Sequence, residues 1–446
     1  MARLATLVFF VYVVLEGALR KWVWPEFSNE LFALKDIILG FALVAWLGSR
    51  GSVRVALRPR EIGLWVGWLL LAVGYSVVDG FGVQSLIGLR YYLAPLPLLW
   101  LVPAMLRDLP DLNRFAVRYL WVALAIMALG TYQYLSPLES AINRYAWRSE
   151  VGELIAGFGL GEDSLLGISQ NRPRITGSFS FISPYAVYLQ AVWLIAWVML
   201  LQSTRRSERL FATVVLVAIL VNIAMTGSRA PLLLSLVFAV PFAVMALRTF
   251  KGFWYQFSAL AAFLAIPYLS VSLLSEPFQA VLERDEGAAD AVIRILGALL
   301  TPLSTFAAMQ AFGDGIGSSF GGFQELGRVT VAVSSFDEIF HDRIGIELGV
   351  LGYVLVLVIK LTMITKAFLL SLEARTKRIL YWAIAALCYQ LSFGWQIPVY
   401  NSVAAIFYFS AIGLVYWLRA ENEKVVREVA GDTWSAPALG PLVRRS

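Results

Sequence analysis

Cysteine and histidine are nearly missing from this sequence, and their scarcity excludes several kinds of site. Cys388 is the single cysteine and His341 is the single histidine among 446 residues. One cysteine cannot form an intrachain disulfide, and neither a thiolate cluster nor a histidine-rich metal site is possible. No tight acidic motif replaces those ligands. We therefore expect neither a bound metal nor a cofactor.

Charged residues are also scarce, at 15% of the chain, whereas soluble globular proteins carry about 25%. Apolar residues make up 59%, and the mean hydropathy is +0.73. A water-soluble protein of this length cannot bury so much apolar surface, so the solvent must be lipid. The net charge of +6 is too small to indicate nucleic acid as a partner.

Long apolar runs predict an all-α integral membrane protein with about twelve transmembrane helices. Each run is long enough to cross a bilayer, which takes roughly 17–25 residues of helix. The first run is interpreted as a retained helix, because no small-residue cleavage site follows it. The predicted spans are residues 3–19, 31–48, 62–79, 86–106, 115–134, 183–202, 210–226, 230–247, 253–274, 345–365, 379–395 and 402–418.

Lysine and arginine are distributed unequally between the two sides of these spans. With the N-terminus in the cytoplasm, the inside segments carry about twice as many as the outside segments, which favours both termini inside. Residues 1–419 would then form the transmembrane domain, and 420–446 a disordered cytoplasmic tail. Two long periplasmic loops follow, at about 135–182 and 275–344, and helical periodicity in 278–309 predicts interfacial helices.

Arginines on the predicted outer face lie close to helix starts. In TGSRAPLL, Gly227 ends one span and Pro231 suits the first turn of the next, so Arg229 lies at a helix N-terminus. Arg174 lies just upstream of the sixth span, and Arg90 near the outer end of the fourth. Free N–H groups and planar guanidinium groups both favour phosphate, so the three arginines predict an anion-binding site. The alternative is that they contact lipid headgroups, or that Arg90 pairs with a buried acid.

A cluster of ionisable residues precedes the tenth span. Glu338 lies three residues before His341, so the two can share a helical face, and either can act as a base near neutral pH. One turn deeper, Arg343 and Glu347 are spaced to pair and to support that base. The alternative is a solvated, charged helix end. The glycine-rich stretch 313–322 lacks P-loop spacing and is interpreted as a flexible loop that can close over a sugar.

Other polar residues and glycines in the spans are interpreted as structural. Glu16 and Arg20 are spaced i and i+4, which predicts an ion pair. Lys35 and Asp36 are also assigned to structure. Three glycines at helical spacing in the tenth span predict close helix packing, and these are Gly345, Gly349 and Gly352.

In this order, the motifs resemble the O-antigen ligase and polymerase superfamily of bacterial envelope glycosyltransferases. The resemblance covers most of the chain and rests on the twelve spans and on five short motifs. These are EGALRKW, the R-x-x-G-x-F element of Arg174, Gly177 and Phe179, TGSRAPLL, GDGIGS, and ELGVLG at the tenth span. The resemblance implies a GT-C-like helical fold in the bacterial inner membrane.

The resemblance also implies a reaction. An undecaprenyl-diphosphate-linked glycan would be the donor, and transfer would be metal-independent and occur in the outer leaflet. Arg229 and Arg174 would hold the diphosphate, with Arg90 assisting. The partners implied are a lipid-linked donor and acceptor in the bilayer, together with a chain-length regulator and a flippase of the same pathway.

One departure from the family pattern affects the choice of acceptor. Ligases of the superfamily carry a histidine followed by Asn or Ser eleven residues before the first glycine of E-x-G-x-x-G. Here that position is Glu338, and His341 follows one turn later, before Asp342. This favours a polymerase of O-antigen, capsule or exopolysaccharide repeats over a ligase that transfers glycan to lipid A core or protein. A lipid-linked oligosaccharide flippase or another transporter is the alternative of a different class.

The predicted topology can be tested with reporter fusions. Fusions at residues 55, 207 and 375 are expected to report the cytoplasm, and fusions at 150 and 310 the outside, because basic residues favour the inside. A cytoplasmic signal at 310 would contradict the topology and place the predicted site on the wrong side of the membrane.

Overall fold

A computed structural model of the chain describes residues 1–49, 59–78, 80–146, 172–249, 310–318, 341–394 and 397–429. Every regular element in these ranges is helical, which confirms the predicted all-α class. The α-helices are α1 Ala2–Ala18, α2 Ser28–Gly48, α3 Pro59–Val78, α4 Val83–Leu93, α5 Leu98–Met105, α6 Leu109–Leu135, α7 Ile182–Gln202, α8 Arg206–Met225, α9 Arg229–Thr249, α10 His341–Glu373, α11 Lys377–Leu391 and α12 Ser402–Val429.

Ten stretches of helix in the described ranges are long and apolar enough to cross a membrane, and they coincide with ten of the predicted spans. Helices α4 and α5 together form one of these, Val83–Met105. The predicted span 379–395 overlaps α11, a helix of 15 residues that begins at Lys377 and ends at Leu391. The predicted span 253–274 and the predicted interfacial helices of 278–309 lie outside the described residues. The count of twelve therefore stays a prediction.

The predicted disordered tail begins too early. Helix α12 continues through Val429, so the prediction is wrong for the first residues after 419. The reason is a contact with the end of α10. Asn422 is buried, its side chain accepts a hydrogen bond from the backbone of Arg375 at 2.9 Å, and it donates one to the carbonyl of Glu373 at 3.2 Å. Residues 430–446 lie outside the described part of the chain.

The described helices cross the bundle in both directions, and its two ends are chemically distinct. We name the Arg90 end as the end where α1 and α8 finish and α2, α7, α9, α10 and α12 begin. At the opposite end, named the Asp111 end, Arg3 donates to both carboxylate oxygens of Asp111, at 2.8 and 2.9 Å. Helices α7 and α12 are the most buried of the described spans and form the centre of the bundle.

Helix α10 is broken at Gly349, whose φ is 62° and ψ is −166°. The break leaves backbone groups on both sides without helical partners, and the segment 310–315 supplies new ones. The amide of Asp314 donates to the carbonyl of Ile346 at 2.7 Å, and the amide of Val350 donates to the carbonyl of Gln310 at 3.0 Å. Non-helical backbone is tolerated within a membrane protein only with such partners.

The contacts of the segment 310–318 correct two interpretations of the sequence. Gly349 does not mediate packing between helices, because a Cβ there would lie 2.5 Å from the backbone nitrogen of Gly313. The glycine-rich stretch is not a flexible loop over residues 313–318. Ile316 is fully buried, and a Cβ on Gly88 of α4 would lie 2.6 Å from the nitrogen of Gly317. Residues 319–322 lie outside the described part.

We expect Gly349→Ala to destabilise the protein by about 1–3 kcal/mol from backbone strain alone, with a further cost from the contact with Gly313. The midpoint of thermal unfolding in detergent measures the loss. Gly40→Ala in α2 is the matched control, because its added Cβ meets nothing within 4 Å. Equal midpoints for the two variants would show that the break imposes no strain.

Candidate functional site

Arg90 of α4 contacts α2 through two residues. Its guanidinium forms an ion pair with Asp36 and donates to the carbonyl of Phe32 at 3.2 Å. The same group lies over the ring of Phe32, 4.3 Å from its centroid. Of the two interpretations of Arg90, pairing with an acid is the geometry observed. A diphosphate at this position has to compete with Asp36 or join it.

Glu16 of α1 holds two further cations. Arg20 Nη1 lies 2.9 Å from Glu16 Oε1, and Lys35 Nζ lies 3.0 Å from Glu16 Oε2. The predicted Glu16–Arg20 ion pair is therefore confirmed. Both Glu16 and Lys35 are buried. Together with Asp36 and Arg90 these residues form what we call the Arg90 cluster, in which three cations face two carboxylates.

A small cavity adjoins the Arg90 cluster. Its lining includes Phe32, Lys35, Asp36, Arg90 and Ser402, and its volume is about 30 Å³. That space accommodates about one water molecule. A phosphate group is larger, so its binding at Arg90 requires these side chains to move.

The two arginine motifs of the sequence meet at the start of α9. Arg174 Nε donates to the carbonyl of Thr226 at 2.9 Å, immediately after α8 ends. Helix α9 begins at Arg229 after Gly227, whose φ is 66°, as the sequence predicted. Arg174 and the N-terminus of α9 are thus joined across one short turn. The side chain of Arg229 lies outside the described residues.

Two buried polar residues hold the segment 172–181 in place. Lys21 Nζ donates to Thr176 Oγ1 at 2.9 Å and to the carbonyl of Gly177 at 3.0 Å. Gln133 Oε1 accepts from the amides of Thr176 and Gly177, at 3.1 and 2.8 Å. Neither residue was predicted to belong to the site. The signal available for both was a polar residue at the end of an apolar span.

Glu347 lies next to the break in α10 and is fully buried. Its carboxylate accepts hydrogen bonds from the hydroxyls of Tyr92, at 3.1 Å, and Tyr400. The guanidinium of Arg343 lies over the ring of Tyr400, 5.6 Å from its centroid. The two predicted supporting residues therefore converge on Tyr400, which was not predicted. The two tyrosines lie in or beside apolar spans, where aromatic residues carry no specific signal.

The predicted bases are placed only in part. His341 is the first residue of α10, so its backbone lies two turns from Glu347, but its side chain lies outside the described residues. Glu338 also lies outside them. All the described candidate residues, namely Arg90, Arg174, Arg343 and Glu347, belong to the Arg90 end.

No protein-family model matches the chain, and no curated protein sequence matches it significantly. The resemblance to O-antigen ligases and polymerases therefore rests on the motifs themselves.

We expect Glu16→Gln to destabilise the protein by about 3 kcal/mol, because it leaves Arg20 and Lys35 without a buried counter-charge. The midpoint of unfolding in a detergent titration measures this. The control is Glu423→Gln, which removes the ion pair between Glu423 and Arg419. Their charged atoms lie 3.3 Å apart, and the side chain of Glu423 is 49% exposed. An exposed pair contributes about 0–1 kcal/mol. If both variants unfold alike, the Glu16 pairs contribute nothing specific.

Proposed function

We propose that the protein is a glycosyltransferase that polymerises undecaprenyl-diphosphate-linked oligosaccharide repeats of O-antigen, capsule or exopolysaccharide. The reaction takes place in the outer leaflet of the bacterial inner membrane, on a GT-C-like helical fold. The observation that carries the proposal is the bond from Arg174 to the carbonyl of Thr226. It brings an arginine to the N-terminus of α9, where N–H groups and guanidinium favour phosphate oxygens together.

The proposed mechanism is direct displacement at the anomeric carbon of the donor. The acceptor hydroxyl attacks that carbon and passes its proton to Glu338 or His341, while the bond to the diphosphate oxygen breaks. Undecaprenyl diphosphate leaves with its additional negative charge, which Arg174 and Arg229 stabilise. Because that charge develops in the transition state, the arginines lower the barrier rather than only binding the donor.

Glu347 and Arg343 act as supports in this mechanism. Their contacts with Tyr400 attach the first turns of α10 to the start of α12. His341 begins the same helix, so these contacts limit where its backbone can lie. Arg90 assists with the diphosphate after Asp36 gives up or shares its ion pair.

Two other functions remain alternatives. A ligase would use the same donor site and a different acceptor, lipid A core or protein. A flippase or other transporter needs charge within the membrane, and Lys360 of α10 is the observation that favours it. This lysine is fully buried and lies over the ring of Tyr408, 5.0 Å from its centroid. Intramembrane charges often mark transport routes.

The glycan profile of a deletion strain separates these functions. Single repeats on the lipid carrier indicate a polymerase, whereas full-length chains without their final anchor indicate a ligase. Repeats that accumulate on the cytoplasmic side indicate a flippase and would contradict the proposal.

We expect Arg174→Lys and Arg229→Lys each to reduce polymerisation by about 30- to 1000-fold. This corresponds to roughly 2–4 kcal/mol for one charge-assisted contact made fully in the transition state. Lysine keeps the charge but has no planar fork that can bind two oxygens. Polymer formed per amount of folded protein in proteoliposomes is the measurement.

The control for the arginine variants is Arg206→Ala. Arg206 is exposed at the start of α8, at the Asp111 end, so its replacement by alanine should leave the rate of polymerisation nearly unchanged. The base is identified in the same assay, because Glu338→Gln or His341→Ala should stop transfer while donor binding persists. Full polymer yield from both lysine variants would mean that the arginines only contact lipid.

A further inference from the structure

A cavity between the helices lies toward the Asp111 end, apart from the residues assigned to glycosyl transfer. Its volume is about 120 Å³, it is partly open to the surroundings, and residues of α1, α5, α6, α7, α11 and α12 line it. The wall is almost wholly apolar and includes Phe10, Leu112, Tyr119, Ala386 and Phe407. The lining of α6 extends from Leu112 to Tyr119, a depth of about 10 Å along the helix.

The chemistry of the wall defines the kind of occupant. The apolar wall gives water no hydrogen-bond partners, and even an enclosed apolar cavity of about 150 Å³ accepts benzene. The fitting occupant is therefore a hydrocarbon segment of about six carbons.

Basic residues lie next to this cavity at the surface of the bundle. Arg107 directly follows the lining residue Leu106, and Arg114 directly precedes the lining residue Phe115. Both arginines are exposed, and Arg114 lies 3.5 Å from Asp111. Around the first turns of α6, the arginines outnumber the acids: Arg3, Arg107, Arg114 and Arg118 against Asp108 and Asp111.

We propose that the cavity binds an acyl chain of an anionic phospholipid in the leaflet at the Asp111 end. Arg107 and Arg114 hold the phosphate, and the chain enters between Leu106 and Leu112. A polyprenyl phosphate has the same combination of phosphate and hydrocarbon, so the test includes it. The proposal does not depend on glycosyl transfer, because none of these residues belongs to the Arg90 end.

The test uses the full chain in phosphatidylcholine nanodiscs that contain a minority of phosphatidylglycerol. Native mass spectrometry counts the lipids that remain bound. We expect phosphatidylglycerol to be retained about tenfold in preference to phosphatidylcholine, a difference that one charge-assisted contact supplies. The double variant Arg107→Gln/Arg114→Gln should lose this preference. The matched control Arg205→Gln/Arg206→Gln, on exposed arginines at the same end, should keep it.

A second pair of variants tests the cavity itself. Ala386→Phe fills part of the cavity and should exclude the acyl chain, and Ala411→Leu serves if the first variant fails to fold. In either variant, added phosphatidylglycerol should no longer raise the midpoint of thermal unfolding. Equal retention of both lipids by the native protein would overturn the proposal. So would stabilisation by glycerol phosphate alone, which has no chain. Displacement of phosphatidylglycerol by undecaprenyl phosphate at lower concentration would overturn the assignment of an acyl chain.

Discussion

Every backbone amide and carbonyl inside a membrane protein must find its partner in the protein, because lipid offers none. Helices meet this requirement within themselves, so each departure from a helix needs a donor or acceptor from another part of the chain. At Gly349 the segment 310–315 supplies both. In the segment 172–181, Gln133 and Lys21 supply them from neighbouring helices. In these two described segments, irregular backbone is thus held by hydrogen bonds to distant parts of the chain.

The same requirement explains why polar side chains of the Arg90 end contact backbone as well as one another. Arg174 donates to the carbonyl of Thr226, where α8 ends and its last carbonyls have no helical partners. The bond satisfies the end of α8 and also fixes the guanidinium beside the start of α9. A structural role and the proposed role in binding diphosphate are therefore compatible in one side chain. Arg90 differs, because its guanidinium is already paired with the carboxylate of Asp36. Its proposed role requires the diphosphate to replace or share that carboxylate.

Helix positions were predictable because lipid demands apolar runs of a fixed length. The start of α9 was predictable as well, since Gly227 and Pro231 are local signals. The break at Gly349 was not, because ELGVLG continues an apolar helical pattern and the segment that stabilises the break lies more than thirty residues earlier in the chain. The contacts of Gln133 and Tyr400 were missed for the same reason. Their partners are distant in sequence, and no local pattern indicates which polar side chain satisfies which group.

Within the described ranges, non-helical backbone is concentrated at the Arg90 end. Helix α1 passes into a π-helical turn at Leu19–Val23, α10 breaks at Gly349, and the segments 172–181, 310–318 and 397–401 are not helical. At the Asp111 end, the described connections between α7 and α8 and between α10 and α11 are short turns. Buried irregular backbone needs partners from elsewhere in the protein, and in membrane proteins it recurs where it lines a cavity or binding site. These irregular segments overlap four of the five motifs on which the family resemblance rests, so the backbone and the motifs mark the same end of the bundle. The ligand proposed for the exposed arginines of the Asp111 end is lipid phosphate, so the two ends of the bundle have different proposed ligands.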